Sequence, residues 1–368
     1  MILHVNGRFY GQRVTGVQRY ARELVAAMDA LAADGKLPPP LDGVVAHLPG
    51  AASAPAGLRA VEIRRHRPGN GHAWEQLVLP RATGGGLLFC PGNTAPLASL
   101  ARGRVVVTVH DLSYRYFPEA YSLPFRAWYH LLIPVIMRRA VRVITVSQSE
   151  RAAITAAYPM VAPRLVAIQN GAAATLAALT PPPPLPPLPE QYVLYVGSLS
   201  RRKNFPGVLR AFERLAGRAP GLRLVVAGGT SGVFASAGTD VAAGARERVT
   251  FLGQVDDPRV LAAAYRGAQC LVFPSFYEAS PLPPTEAMAL GCPLVAADIP
   301  SLRERCGDAA LYCDPHDADS IAHAVRRVLD DPALAADLRR KGAARAAALT
   351  WAGCAARTLA VLAEAACA

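Results

Sequence analysis

The chain has 368 residues, 52% hydrophobic and 18% charged, with 39 Lys and Arg against 27 Asp and Glu and a formal net charge of +12. That length accommodates two domains with separate cores, and that hydrophobic content excludes an intrinsically disordered chain. The seven cysteines are scattered without a C-x2-C pair, which argues against a zinc site and for reduced thiols in apolar segments.

In chain order, short apolar strands are expected at 2–6, 43–47, 87–90, 104–109 and 143–146, alternating with helical patterns, the signature of parallel α/β architecture. The first run reads as a strand rather than a signal peptide, and the apolar run 131–137 contains Pro134 and is too short to span a bilayer. A cytoplasmic location is therefore expected. The loop Thr15-Gly16-Val17-Gln18 follows the first strand and opens a helix, and His110-Asp111 ends the strand at 104–109 in a crevice position. His110 there reads as functional rather than structural, while Asp111 is open to a capping role. Residues 125–130 mix aromatics with cations and are followed by Arg138, Arg139 and Arg142. Two readings stay open: an amphipathic surface resting on anionic membrane, which Pro134 would interrupt, or a buried helix with a solvated basic end. Residues 1–180 hold 19 Lys and Arg against 9 Asp and Glu, while residues 181–368 hold 20 against 18. With no nucleic-acid-binding module in sight, anionic lipid suits the basic half better than nucleic acid.

After residue 172 the pattern breaks into a proline-rich stretch at 180–190, read as a stiff spacer. Strands are then expected at 192–196, 222–227, 249–252, 270–273 and 294–297. Two domains, 1–180 and 181–368, follow from this division, each a Rossmann-like half with its ligand crevice at the carboxyl ends of its strands. Behind the strand 192–196 comes Gly197-Ser198-Leu199-Ser200-Arg201-Arg202-Lys203-Asn204, a small-residue turn with three cations near a helix start. Such cations are unfavourable beside a positive helix end unless an anion arrives. Gly228 and Gly229 form a second turn, through Gly232, that lacks the full dinucleotide-binding spacing and reads as a backbone turn. The run 271–300 is the centre of the chain: a buried strand, a loop, a short helix opening near Pro283 and Pro284, a stop at Gly291, and another strand. Glu278 and Glu286 bracket the loop, with Glu286 expected in the first helical turn and Ser280 and Leu282 between them. Free loop N–H groups and the helix dipole suit a diphosphate, and a carboxylate beside it can accept sugar hydroxyls. Spacing alone leaves ordinary solvated and helix-start charges equally open. Asp317-Ala318-Asp319 precedes an apolar helix and reads as a cap rather than as a metal site.

Glu278 through Gly291 resembles the E-x7-E signature of family 4 retaining glycosyltransferases, and Gly197 through Lys203 is similar to that family's donor-diphosphate turn. The resemblance implies the GT-B fold, two Rossmann-like α/β domains with the last helix crossing back to the first. It implies a nucleotide-sugar donor, GDP-mannose or a UDP-sugar, held by Gly16, Gly197, Ser198, Arg202, Lys203, Gly228, Ser280, Leu282 and Glu286. His110, Glu278, Arg202 and Lys203 match the catalytic positions, with no metal or other cofactor required. Trp74-Glu75-Gln76 and Asn93, with Asp111, are acceptor-side candidates by similarity to bacterial polysaccharide mannosyltransferase-like members; a core Trp and a turn are the other reading. The acceptor implied is a glycan, often polyprenyl-linked, which brings such enzymes to the membrane. The chain departs from the family at Ala279-Ser280-Pro281, where Gly-Phe-Gly is usual. The competing expectations are a nucleotide-sugar epimerase, which needs no acceptor, and a catalytically silent sugar-nucleotide-binding subunit. A dehydrogenase is disfavoured because no complete G-x-G-x-x-G follows a strand.

Overall fold

The computed structural model describes residues 1–53, 55–172, 188–217, 219–229 and 246–367. Most of the proline-rich stretch and the end of the second glycine turn, from Thr230, lie outside the described residues. Seven strands, β1 (Ile2–Asn6), β2 (Gly43–Pro49), β3 (Val61–His66), β4 (Leu88–Cys90), β5 (Val105–Thr108), β6 (Arg142–Thr145) and β7 (Leu165–Ala167), make one sheet in the order β3-β2-β1-β4-β5-β6-β7. Six more, β8 (Tyr192–Val196), β9 (Arg223–Ala227), β10 (Val249–Gly253), β11 (Cys270–Phe273), β12 (Leu294–Ala297) and β13 (Leu311–Cys313), make a second in the order β10-β9-β8-β11-β12-β13. Every neighbouring pair is parallel.

In both sheets the winding reverses beside the first strand, between β1 and β4 and between β8 and β11. Loops leaving those strand ends diverge, and a crevice opens there. Parallel strands are covered on both faces, which is why they read as unbroken apolar runs rather than as alternating ones. Alternate residues of β8 divide accordingly: Tyr192 and Leu194 enter one core, Val193 and Tyr195 the other. The three strands that the sequence pattern does not announce are β3, β7 and β13, all at sheet edges. β3 is mostly polar, VEIRRH, and the other two are three residues each.

The chain divides into two units, one of Met1–Tyr114, Leu123–Gly171 and Trp351–Ala368, the other of Arg115–Ser122 and Ala172–Thr350. This differs from a single cut at residue 180 because Arg115–Ser122 leaves the first unit and sets its aromatics on Tyr277. The Tyr116 and Phe117 ring centroids lie 5.4 and 5.9 Å from that of Tyr277. The final helix, Trp351–Cys367, belongs to the first unit and packs on the helix Gly16–Ala33. Gly171 is required beneath its first turn, since a Cβ there would lie 2.4 Å from the Trp351 main-chain nitrogen. The stretch Pro332–Cys367 is long and apolar enough to cross a membrane by composition alone. A break at Leu349 and Thr350 divides it, however, and each half buries residues within its own unit.

One helix corrects the sequence reading. Leu123–Arg139 runs through Pro134 without interruption. The carbonyl that Pro134 leaves without a donor belongs to His130, which is exposed, so water can serve it.

Candidate active site

The second unit brings Arg202, Lys203 and Glu278 together at the carboxyl ends of β8 and β11, the reversal point of its sheet. After β8 the chain turns through Gly197 (φ 157°), and the loop after β9 turns through Gly228 (φ 154°). The two turns touch: a Cβ on Gly228 would lie 1.9 Å from the Gly197 carbonyl oxygen, so position 228 admits only glycine. Tyr195 donates its hydroxyl to the Ser198 carbonyl at 2.7 Å, and the Ser198 and Ser200 hydroxyls lie 3.2 Å apart.

From this turn Arg202 and Lys203 reach Glu278 in the loop after β11. Lys203 Nζ is 2.5 Å from Glu278 Oε1, and Arg202 Nη1 is 3.7 Å from Oε2. Arg202 also donates to the Tyr277 carbonyl at 3.0 Å, and its own carbonyl accepts from Phe276 N–H at 3.0 Å, stitching the two loops together. Lys203 lies over the Phe273 ring, 5.0 Å from its centroid. Only 6% of the Glu278 side chain is exposed, against 13% for Lys203 and 20% for Arg202. Burial pushes the Glu278 carboxyl up, but the charges of Lys203 and Arg202 and the hydrogen bond from Lys203 hold it below the ordinary carboxylate range. Glu278 is thus a buried carboxylate kept ionised by its neighbours.

Asn204 completes the turn in a left-handed conformation (φ 53°), with its side-chain amide donating to the Pro274 and Pro315 carbonyls at 3.1 and 2.6 Å. Gly207 leaves room for that side chain. The sequence reading passed over Asn204 as a site residue, though an Asn between a cation pair and a helix start is a signal for such a conformation.

The helix after the acidic loop runs Leu282–Ala289 behind the Pro281 cap. Two expectations change here. Glu286 lies in the second turn, not the first, and is buried, accepting a 2.7 Å hydrogen bond from the Tyr265 hydroxyl. The helix start is also poor in amides, because Pro281, Pro283 and Pro284 carry no N–H. Tyr265 had no signal in the sequence, since the helix Pro258–Gly267 that carries it is separated from Glu286 by β11 and the loop. Asp317 caps the helix Ala318–Asp330, accepting from the Asp319 amide at 2.8 Å.

In the first unit, His110 follows β5 and is 6% exposed. Its main-chain N–H donates to Asn93 Oδ1 at 2.7 Å, and its Nε2 lies 2.9 Å from the Pro91 carbonyl. A carbonyl only accepts, so Nε2 carries the proton. Burial lowers the pKa against the opposing pulls of Pro91 and Asp111, so the ring is neutral and Nδ1 keeps a lone pair. The Tyr20 ring stands edge-on to the imidazole at 4.6 Å. Asn93 holds φ 61° and thereby seats His110. Asp111 instead accepts from the Ser113 amide at 2.9 Å.

Glu75 is wholly buried in a polar cluster absent from the sequence reading. It accepts from Asn6 at 2.6 Å and Thr94 at 2.9 Å, and lies 3.3 Å from both Arg8 and His72. Burial raises its pKa, but hydrogen bonds from His72, Thr94 and Asn6 and the charge of Arg8 more than offset that. Trp74 is also fully enclosed, its indole N–H on the His66 carbonyl at 3.2 Å. Gly16 opens the helix Gly16–Ala33 behind a Thr15 and Gln18 capping box, with open space where a Cβ would stand.

Residues 181–345 match the family model for glycosyl transferases group 1, and residues 88–175 match that for glycosyltransferase family 4. The chain is 30% identical to O-antigen chain mannosyltransferase B of Escherichia coli over 264 residues, 70% of this chain and 69% of that protein. It is 27% identical to O-antigen chain mannosyltransferase RfbU of Salmonella typhimurium over 60% of each. Among solved structures, sucrose-phosphate synthase from Thermosynechococcus elongatus superposes with a TM-score of 0.71 at 23% identity, covering 97% of this chain and 96% of that one. Anabaena HepE in complex with UDP gives 0.68 at 18% identity over 99% of each. The two parallel-sheet α/β units are those of the GT-B fold. This chain belongs to glycosyltransferase family 4 and is a glycosyltransferase.

Proposed function

We propose that the protein is a retaining hexosyltransferase that takes mannose from GDP-mannose and adds it to a lipid-linked or growing bacterial surface-polysaccharide glycan. The observation that carries this reading is the buried triad of Arg202, Lys203 and Glu278 at the reversal point of the second sheet. Two cations beside a carboxylate suit a donor made of a diphosphate and a sugar: the cations meet the diphosphate, and the carboxylate accepts sugar hydroxyls. Glu286 accepts the ribose hydroxyls. The mannosyl preference rests on the printed names of the two O-antigen relatives; UDP-glucose and UDP-N-acetylglucosamine are the competing donors.

In this mechanism the bond between the sugar's anomeric carbon and the diphosphate breaks while the acceptor oxygen bonds to the same face of that carbon. The acceptor's proton passes to the departing diphosphate oxygen. Arg202 and Lys203 stabilise the charge growing on that oxygen, the task a metal performs in other transferases, so transfer is expected to survive chelation. The first unit's polar groups at the carboxyl ends of β1, β4 and β5, among them Arg8, Asn93 and neutral His110, serve the acceptor. Leu123 and Leu131, 74% and 58% exposed on one helix with Arg138 and Arg139, suit contact with the anionic inner face of the cytoplasmic membrane.

A thermal-shift panel of GDP-mannose, UDP-glucose and UDP-N-acetylglucosamine tests the donor, because a ligand of the folded state raises Tm. GDP-mannose is expected to give the largest shift, and no shift with any of the three would refute the donor site. Conversion of the sugar nucleotide to its epimer without acceptor would instead establish an epimerase.

A further inference from the structure

The pair between Lys203 and Glu278 has a consequence beyond holding a donor, and it rests on the donor-site reading just given. Lys203 is seated between the Phe273 ring and Glu278, with Arg202 beside it. A diphosphate entering here finds few main-chain donors, because positions 281, 283 and 284 are proline. It must draw on the same two cations that hold Glu278 ionised, and that leaves a buried carboxylate short of positive charge. An under-compensated buried charge is costly.

We propose that Glu278 makes the site distinguish a loaded donor from spent nucleoside diphosphate. A nucleotide sugar brings hydroxyls that donate to Glu278 as its cations turn to phosphate, so the carboxylate exchanges one set of partners for another. After transfer the sugar has left with the acceptor, and once the proton taken from the acceptor has passed to water the diphosphate carries one more negative charge than it did as a diester. Glu278 then faces an anion with no donor between them. Repulsion between the two favours departure of the product. Glu278 is therefore both the sugar's hydrogen-bond acceptor and the element that expels the used nucleotide.

Calorimetric titration of the full chain and of Glu278→Gln with GDP, GDP-mannose, UDP and UDP-glucose tests this. The parent is expected to bind one nucleotide sugar about tenfold or more tightly than its own diphosphate. Glu278→Gln, which keeps the shape without the charge, is expected to bind that diphosphate about tenfold tighter than the parent and to lose the preference for the loaded donor. The inference is overturned if the variant binds the diphosphate no more tightly, or if the parent holds diphosphate and nucleotide sugar equally. Binding of none of the four ligands to either protein overturns the donor-site reading together with it. The parent comparison needs no variant and decides the matter if Glu278→Gln does not fold.

Discussion

At Lys203 one side chain serves two charges in turn, which makes it the most informative single position. Replacing it with methionine leaves Glu278 buried with Arg202 at 3.7 Å as its remaining cation. Losing one partner of a buried pair costs about 3 kcal/mol. Lys203→Met is therefore expected to lower Tm and to reduce glycosyl transfer by about 100-fold or more, read from melting curves and initial rates. Tyr265 acts through Glu286 and is a positioning residue. Tyr265→Phe removes a 2.7 Å hydrogen bond from a buried carboxylate, worth about 1–2 kcal/mol. The expected result is a donor KM raised about tenfold with kcat nearly unchanged, a split that general unfolding would not give. Glu278 and Lys203 were legible in the sequence because each lies beside a turn whose residues announce it. Tyr265 was not, because its role depends on a helix outside the motif.

At the scale of elements, the first three strands carry a chain of imidazoles unrelated to the donor site. His4 Nδ1 lies 2.8 Å from His47 Nε2, and His47 Nδ1 lies 2.8 Å from His66 Nε2, joining β1, β2 and β3. Burial, with the nearby positive groups His4, His66 and Arg64 against the opposing Glu62, pulls His47 down to about 3. Burial and then Arg64 also lower His4 and His66. A group with a lowered cationic pKa favours the folded state only while it is neutral. Stability from these histidines is thus fully present above the unfolded value near 6.5 and is lost as pH falls from there towards 3. The loss is at most about 1.4 kcal/mol per pH unit for each histidine, and denaturant melts between pH 7 and 4 measure it. Substituting His47 by an apolar residue of similar volume should flatten that dependence. A slope unchanged by the substitution would assign it to carboxylates elsewhere.

For the whole molecule, the expectation to test is membrane contact. Vesicles containing anionic lipid are expected to co-sediment the protein at low salt and to release it as salt rises, since screening weakens such contacts. Replacing Leu123 and Leu131 together by aspartate should abolish the binding while leaving the unfolding free energy within about 1 kcal/mol of the parent, because both side chains are exposed. Retention of both affinity and salt dependence by that double variant would move the contact elsewhere.

Apolar runs of strand length, alternating with helical patterns, determined the two parallel-sheet units by themselves, since a strand buried on both faces must be apolar throughout. The two motifs likewise announced Arg202, Lys203 and Glu278, because turn chemistry is local, while Glu286 was expected one turn too early in its helix. The tertiary structure decided which of these groups meet. It alone showed that Lys203 closes on Glu278, that Glu286 turns inward to Tyr265, and that Glu75 lies inside a polar cluster with Arg8. It also placed Arg115–Ser122 with the second unit and Trp351–Ala368 with the first. Those outcomes depend on side chains far apart in the chain competing for the same buried partners, a competition that no local pattern records.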